Sequence, residues 1–128
     1  MKILICGLPG SGKSTLAEPF SKLIGAVWLN ADDIKNNYNN TISKFYHMCY
    51  LADGVVKAGK IAVCDFECST QKERDEFNAD YTVWMDTIKQ DTNMFEPLDE
   101  YNYHVAKWFD DTDKQLADIV KDYIKKNK

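Results

Sequence analysis

The chain has 128 residues, of which 45% are hydrophobic and 28% charged, and a formal net charge of −4. Length and composition exclude collagen-like, disordered and mini-protein classes, and the length predicts one domain over residues 1–128 on a prior of ~150 residues per domain. The acidic balance lacks the diffuse basic field that drives non-specific nucleic-acid binding, which weighs against a nucleic-acid partner; an anion must be met at a local site.

In chain order, Lys2 to Cys6 predicts a short buried strand. Gly7 to Gly12 predicts a loop, and Lys13 to about Ile24 a helix with Leu16, Ala17, Phe20, Leu23 and Ile24 on one face. Pro19 is expected to disturb that helix, and Gly25 to stop it. Ala26 to Leu29 predicts a second strand, and Asn30 to Asp33 a turn that can cap a short helix. A longer helix is expected from Ile42 to Val56 or Ala58, with Phe45, Tyr46, Cys49, Tyr50 and Val56 on its apolar side. Ile61 to Cys64 predicts a third strand, Thr70 to Phe77 a short helix, Tyr81 to Met85 a fourth strand and Tyr103 to Trp108 a fifth. Asp110 to Lys126 predicts a closing helix, with Leu116, Ile119, Val120 and Tyr123 inward. Strands alternating with helices imply an α/β fold: a parallel sheet covered on both faces.

No apolar run approaches the ~18 residues of a membrane helix. Gly7, Pro9 and Gly10 cut the opening apolar segment short of a signal-peptide core of ~7 residues, so a cytoplasmic location without a membrane partner is expected. Cys6, Cys49, Cys64 and Cys68 read as small buried hydrophobes or incidental thiols, because their gaps do not form the paired spacing of a zinc site.

The sharpest signal is Gly7-Leu8-Pro9-Gly10-Ser11-Gly12-Lys13-Ser14, which fits the phosphate-binding loop pattern. Glycines let the backbone curl so that successive N–H groups face a polyphosphate. Lys13 reaches the β- and γ-phosphates of a bound polyphosphate, the Ser14 hydroxyl ligates Mg²⁺, and the following helix adds positive potential at its N-terminus. No dinucleotide fingerprint and no Asn-Lys-x-Asp guanine motif is present in the sequence. Asp32 and Asp33 stand at the carboxyl end of the second strand, where open α/β sheets bind ligands. One carboxylate there can take a proton from an attacking hydroxyl or hold the metal's water shell; either can equally cap a helix. Asp65 ends the third strand, in the place of a Mg²⁺-holding carboxylate or of a plain turn aspartate.

Together these stretches resemble the adenylylsulfate kinase family of P-loop kinases. The carriers are residues 7–15, Leu-Asn-Ala-Asp-Asp-Ile-Lys at 29–35 and Asp-Thr-Asn-Met-Phe-Glu-Pro at 91–97. The resemblance implies the three-layer P-loop nucleoside-triphosphate hydrolase fold, with a five-stranded parallel sheet. It implies ATP and Mg²⁺ as cofactors and a nucleotide-like small-molecule acceptor, adenylylsulfate or another. By position, Gly7 to Thr15 bind the nucleotide, and Lys13, Asp32 and Arg74 are catalytic. Ser14, Asp32 and Asp65 hold the metal, and Asp33, Lys35, Phe45, Phe66 and Arg74 bind the acceptor. The family's long basic lid has no counterpart here, because Trp84 to Gln90 runs almost directly into Asp91. A slow or leaky kinase is therefore expected, or one completed by a second subunit in a homodimer. A kinase for another acceptor (a nucleoside, sugar acid or polynucleotide 5′ end) and a nucleotide-binding module with little transfer activity are the alternatives.

Overall fold

A computed structural model describes residues 1–33, 41–88, 95–108 and 110–127, the side chains of residues 41–43 excepted. Five parallel strands form one sheet in the order β2-β3-β1-β4-β5: β1 (Lys2–Gly7), β2 (Val27–Asn30), β3 (Ala62–Asp65), β4 (Tyr81–Met85) and β5 (Tyr103–Val105). Four helices connect and flank them: α1 (Lys13–Ile24), α2 (Thr41–Lys57), α3 (Gln71–Phe77) and α4 (Thr112–Lys126). This is the parallel α/β sheet covered on both faces that the alternation of elements predicts, in the three-layer P-loop arrangement that the resemblance implies.

The central strand explains the layering. Along β1, Ile3 and Ile5 join one core cluster, with Leu16 and Phe20 of α1 and Leu116 and Val120 of α4. Leu4 and Cys6 point the other way, onto Phe45, Met48 and Ala52 of α2 and Phe77 of α3. Both faces are therefore dry, and the strand reads as a continuous apolar run rather than an alternation. Each large side chain buried this way is worth roughly 1.5–3 kcal/mol relative to exposure.

Several expected details differ. The buried face of α2 is Phe45, Met48 and Ala52, whereas Tyr46 and Tyr50 are exposed. The tyrosines sit roughly a third of a turn round from that face. Leu23 and Ile119 are likewise exposed. α1 runs unbroken through Pro19; the carbonyl of Thr15, which loses its donor to the proline, belongs to an exposed residue. β5 stops at Val105, so Trp108 lies beyond the sheet, and α4 begins at Thr112 rather than Asp110.

α3 is short, so its start matters. Thr70 caps it: its hydroxyl accepts from the Glu73 amide at 3.1 Å, and the Glu73 carboxylate accepts from the Thr70 amide at 3.3 Å. Replacing Thr70 with Ala removes one half of this reciprocal pair and is expected to cost about 1 kcal/mol. The check is a lower denaturant midpoint with an unchanged slope.

Candidate active site

The loop between β1 and α1 is fixed at both ends by sterics. A Cβ on Gly7 would stand 2.5 Å from the Met85 carbonyl oxygen and 2.8 Å from Ser11 Oγ. Gly12 has φ +94°, and a Cβ there would overlap the indole of Trp108. No side chain caps α1. Its first-turn N–H groups have no intrahelical acceptor, which leaves them to face an anion. The loop's own carbonyls are held elsewhere: Lys13 Nζ donates to Gly7 O at 2.9 Å and Leu8 O at 3.0 Å, and Thr87 Oγ1 donates to Ser11 O at 2.8 Å. Burial lowers the Lys13 pKa from its ordinary value, opposed by the carboxylates of Glu67, Asp65 and Asp32 and by Cys6.

Beside the loop lies a cleft of about 720 Å³. Pro9, Gly10, Gly12, Lys13, Ser14 and Thr15 form one wall, with Asp32 and Asp65 next to them. Asn30 organises this corner: its amide donates to Ser14 Oγ at 2.9 Å and its side-chain oxygen accepts from the Asp32 amide at 2.6 Å. Trp28 Nε1 donates to Asp65 Oδ2 at 2.6 Å. The sequence pattern places position 28 in a strand and Asn30 in a turn and gives neither a part in the site. The available signal was their two-residue spacing on β2, which puts both on the face toward Asp65. Asp65 is buried, and burial pushes its pKa up to about 6; the Trp28 bond and Lys13 oppose the shift and Asp32 adds to it.

The same cleft is also lined by Lys44, Phe45, Met48, Phe66, Glu67, Cys68, Ser69 and Glu73. The rings of Phe45 and Phe66 are 6.0 Å apart and tilted by 49°. Asp33 is exposed and outside this lining, and Lys35 lies outside the described residues, as do residues 91–94 of the late acidic segment. Arg74 is not part of this lining. It is buried, its Nη1 and Nη2 donate to Glu96 O at 3.0 and 2.6 Å, and its guanidinium sits 5.6 Å from the Phe95 ring. Its role is to hold the returning segment on α3, assisted by the Gln71 amide, which donates to the Glu96 carboxylate. Burial pushes the thiols of Cys6 and Cys64 up to about 12 and raises that of Cys68, so they stay protonated.

Oxygen donors suit a hard divalent cation that is bound by one or two carboxylates plus phosphates. Ser14 Oγ, Asp65 and Asp32 line the same cleft as the loop. A buried carboxylate with a raised pKa is also one short of positive charge, so this corner fits Mg²⁺. Among the described residues no group of three or more His, Cys, Asp or Glu could hold a metal ion.

The profile of the AAA domain family matches residues 3–128. The chain belongs to the AAA domain family. No curated protein matches the sequence, but solved structures share the fold of this AAA domain. A sugar kinase from Janibacter sp., solved unliganded, superposes with a TM-score of 0.68 at 12% identity, over 97% of this chain and 94% of the other. The Mycobacterium tuberculosis APS kinase in complex with AMPPNP and APS gives 0.68 at 12% identity, over 94% and 96%. Shikimate kinase from Acinetobacter baumannii, in complex with shikimate, gives 0.58 at 14% identity, over 99% and 94%. The fold is thus P-loop kinase-like, and no described helix is long and apolar enough to cross a membrane.

The raised pKa of Asp65 makes a stability prediction for metal-free protein. The folded state prefers the protonated acid, so ionised Asp65 costs stability above pH ~6, and the cost fades as pH falls toward the unfolded value of 3.8. Asp65→Asn should therefore raise stability at pH 8 by roughly 2–3 kcal/mol, with no gain at pH 3.5. Equal midpoints at both pH values in urea titrations would contradict it.

Proposed function

We propose that residues 1–128 form one ATP-dependent kinase domain that transfers the γ-phosphate to a hydroxyl of a small-molecule acceptor. The observation that carries this reading is the convergence of Lys13, Ser14, Asp32 and Asp65 on one cleft that extends into an aromatic pocket. Binding a nucleotide needs only the loop; a free carboxylate facing the space beyond it suits chemistry.

In this reading the loop amides from Gly7 to Thr15 and the Lys13 ammonium hold the ATP phosphates. The acceptor oxygen bonds to the γ-phosphorus as the bond to the β,γ-bridging oxygen breaks, and ADP leaves. The acceptor's proton passes to the Asp32 carboxylate. Ser14 and Asp65, with the phosphates, would hold Mg²⁺, which would neutralise charge there. Asn30 keeps the Ser14 hydroxyl and the Asp32 backbone in register, and Trp28 keeps Asp65 aimed.

Phe45 and Phe66 support an acceptor with a flat or apolar body, as a nucleotide-like molecule has. The resemblance names adenylylsulfate. The pocket supports its base better than its anionic groups, because Arg74 is committed to Glu96.

Two outcomes test the assignment. Asp32→Asn should retain ATP affinity and lose acceptor-dependent transfer by about 10²–10⁴-fold, the usual contribution of a general base; unaltered transfer would remove Asp32 from the mechanism. Only residues 89–94 separate Ile88 from Phe95, so no long basic lid is encoded. A lid excludes water, and a lid arginine is worth on the order of 10³–10⁵ in rate. ADP release without acceptor should therefore be a substantial fraction of the rate with it, and tight coupling in a monomer would contradict this.

A further inference from the structure

Resting on the kinase reading, we infer that the acceptor is an alcohol without anionic groups, neutral or cationic, with an apolar body. The chemistry of the cleft beyond the loop carries this. Among the described lining residues, Asp32, Asp65, Glu67 and Glu73 face Lys13 and Lys44. Lys13 belongs to the phosphate loop, where it lies against the carbonyls of Gly7 and Leu8. Apart from the loop lysine and the two aspartates, the described lining charges are Lys44 against Glu67 and Glu73. Glu67 is exposed, and of the carboxylates acting on Lys13 it acts most strongly. Glu73 has its carboxylate on the α3 cap, and its charge stays in the wall.

Arg74 is the sequence's single arginine, and both its Nη donors are spent on the Glu96 carbonyl behind the wall. Phe45, Met48, Phe66 and Cys68 add apolar surface to the described lining, and Ser69 adds a hydroxyl. ATP on the loop adds further negative charge next to this space. An acceptor bearing phosphate, sulfate or carboxylate would be pushed by both the glutamates and the donor nucleotide. A hydroxyl on a neutral or ammonium-bearing body meets neither penalty, and an ammonium gains from both. At separations of several ångströms in a half-wet cleft, this amounts to about tenfold in affinity. The discrimination is electrostatic, so it must weaken as salt rises.

The experiment compares matched pairs: adenosine with adenosine 5′-monophosphate, and 3-amino-1-propanol with 3-hydroxypropanoate. Binding is measured by calorimetry on the whole chain with Mg²⁺ and a non-hydrolysable ATP analogue, at low and high salt. ADP release with ATP is followed in parallel. Members without negative charge should bind about tenfold more tightly. The ratio should shrink at high salt and in Glu67→Lys, with Glu67→Gln as the milder variant if the reversal misfolds. Equal or tighter binding of the anionic members overturns the inference, as does a ratio that Glu67→Lys and Glu67→Gln both leave unchanged, or failure of every uncharged member to bind. Charge-selective binding without acceptor-dependent ADP release sinks the kinase reading and leaves the charge rule standing. Transfer to anionic members alone does the reverse.

Discussion

A loop can offer its N–H groups to a polyphosphate only if its carbonyls are kept out of the way. In this chain the three carbonyls of Gly7, Leu8 and Ser11 are each engaged by a side chain, two by Lys13 and one by Thr87. Gly7 packs so tightly against Met85 that the loop begins on β4 as much as on β1. The P-loop is therefore not a free turn. It is a segment wedged between two central strands, and the rest of the cleft is built outward from it.

The polar corner follows from sheet register. Asn30 pairs with Asp65 across β2 and β3, so the two strand ends arrive together and bring Trp28, Asn30 and Asp65 into contact reach. Hydrogen bonds to an ionised acceptor are the stronger kind, and Asp65 takes one from Trp28 and one from the Ala31 amide. Even so, burial dominates its ionisation. The corner is built with a deficit of positive charge, the condition a bound divalent cation relieves.

Much of this was legible in the sequence. Residues 7–14 and the alternation of strands and helices announce the fold, because each depends on local spacing. Asp32 and Asp65 were legible as strand-end carboxylates, and the structure brings both to the loop. Trp28 and Asn30 were not, because their partners lie on other elements and only register brings them together. Arg74 misled for a related reason. A lone arginine in an acidic chain invites an anion, yet its neighbours in space are a carbonyl and an aromatic ring of the segment returning at residues 95–96. Trp108 misled through composition: an aromatic after Tyr103 to Val105 extends a strand pattern, while the chain had already turned off the sheet.

That turn has a consequence for how the protein tolerates change. Gly12 is glycine for two unrelated reasons: its backbone sits at φ +94°, and the Trp108 indole fills the space a side chain would need. Trimming Trp108 to a small residue would clear the space and leave the torsion as it was. The two positions therefore compensate only in part: a double substitution would recover the steric share of the loss and leave the torsional share. Position 12 is locked by the fold and by a distant side chain at once.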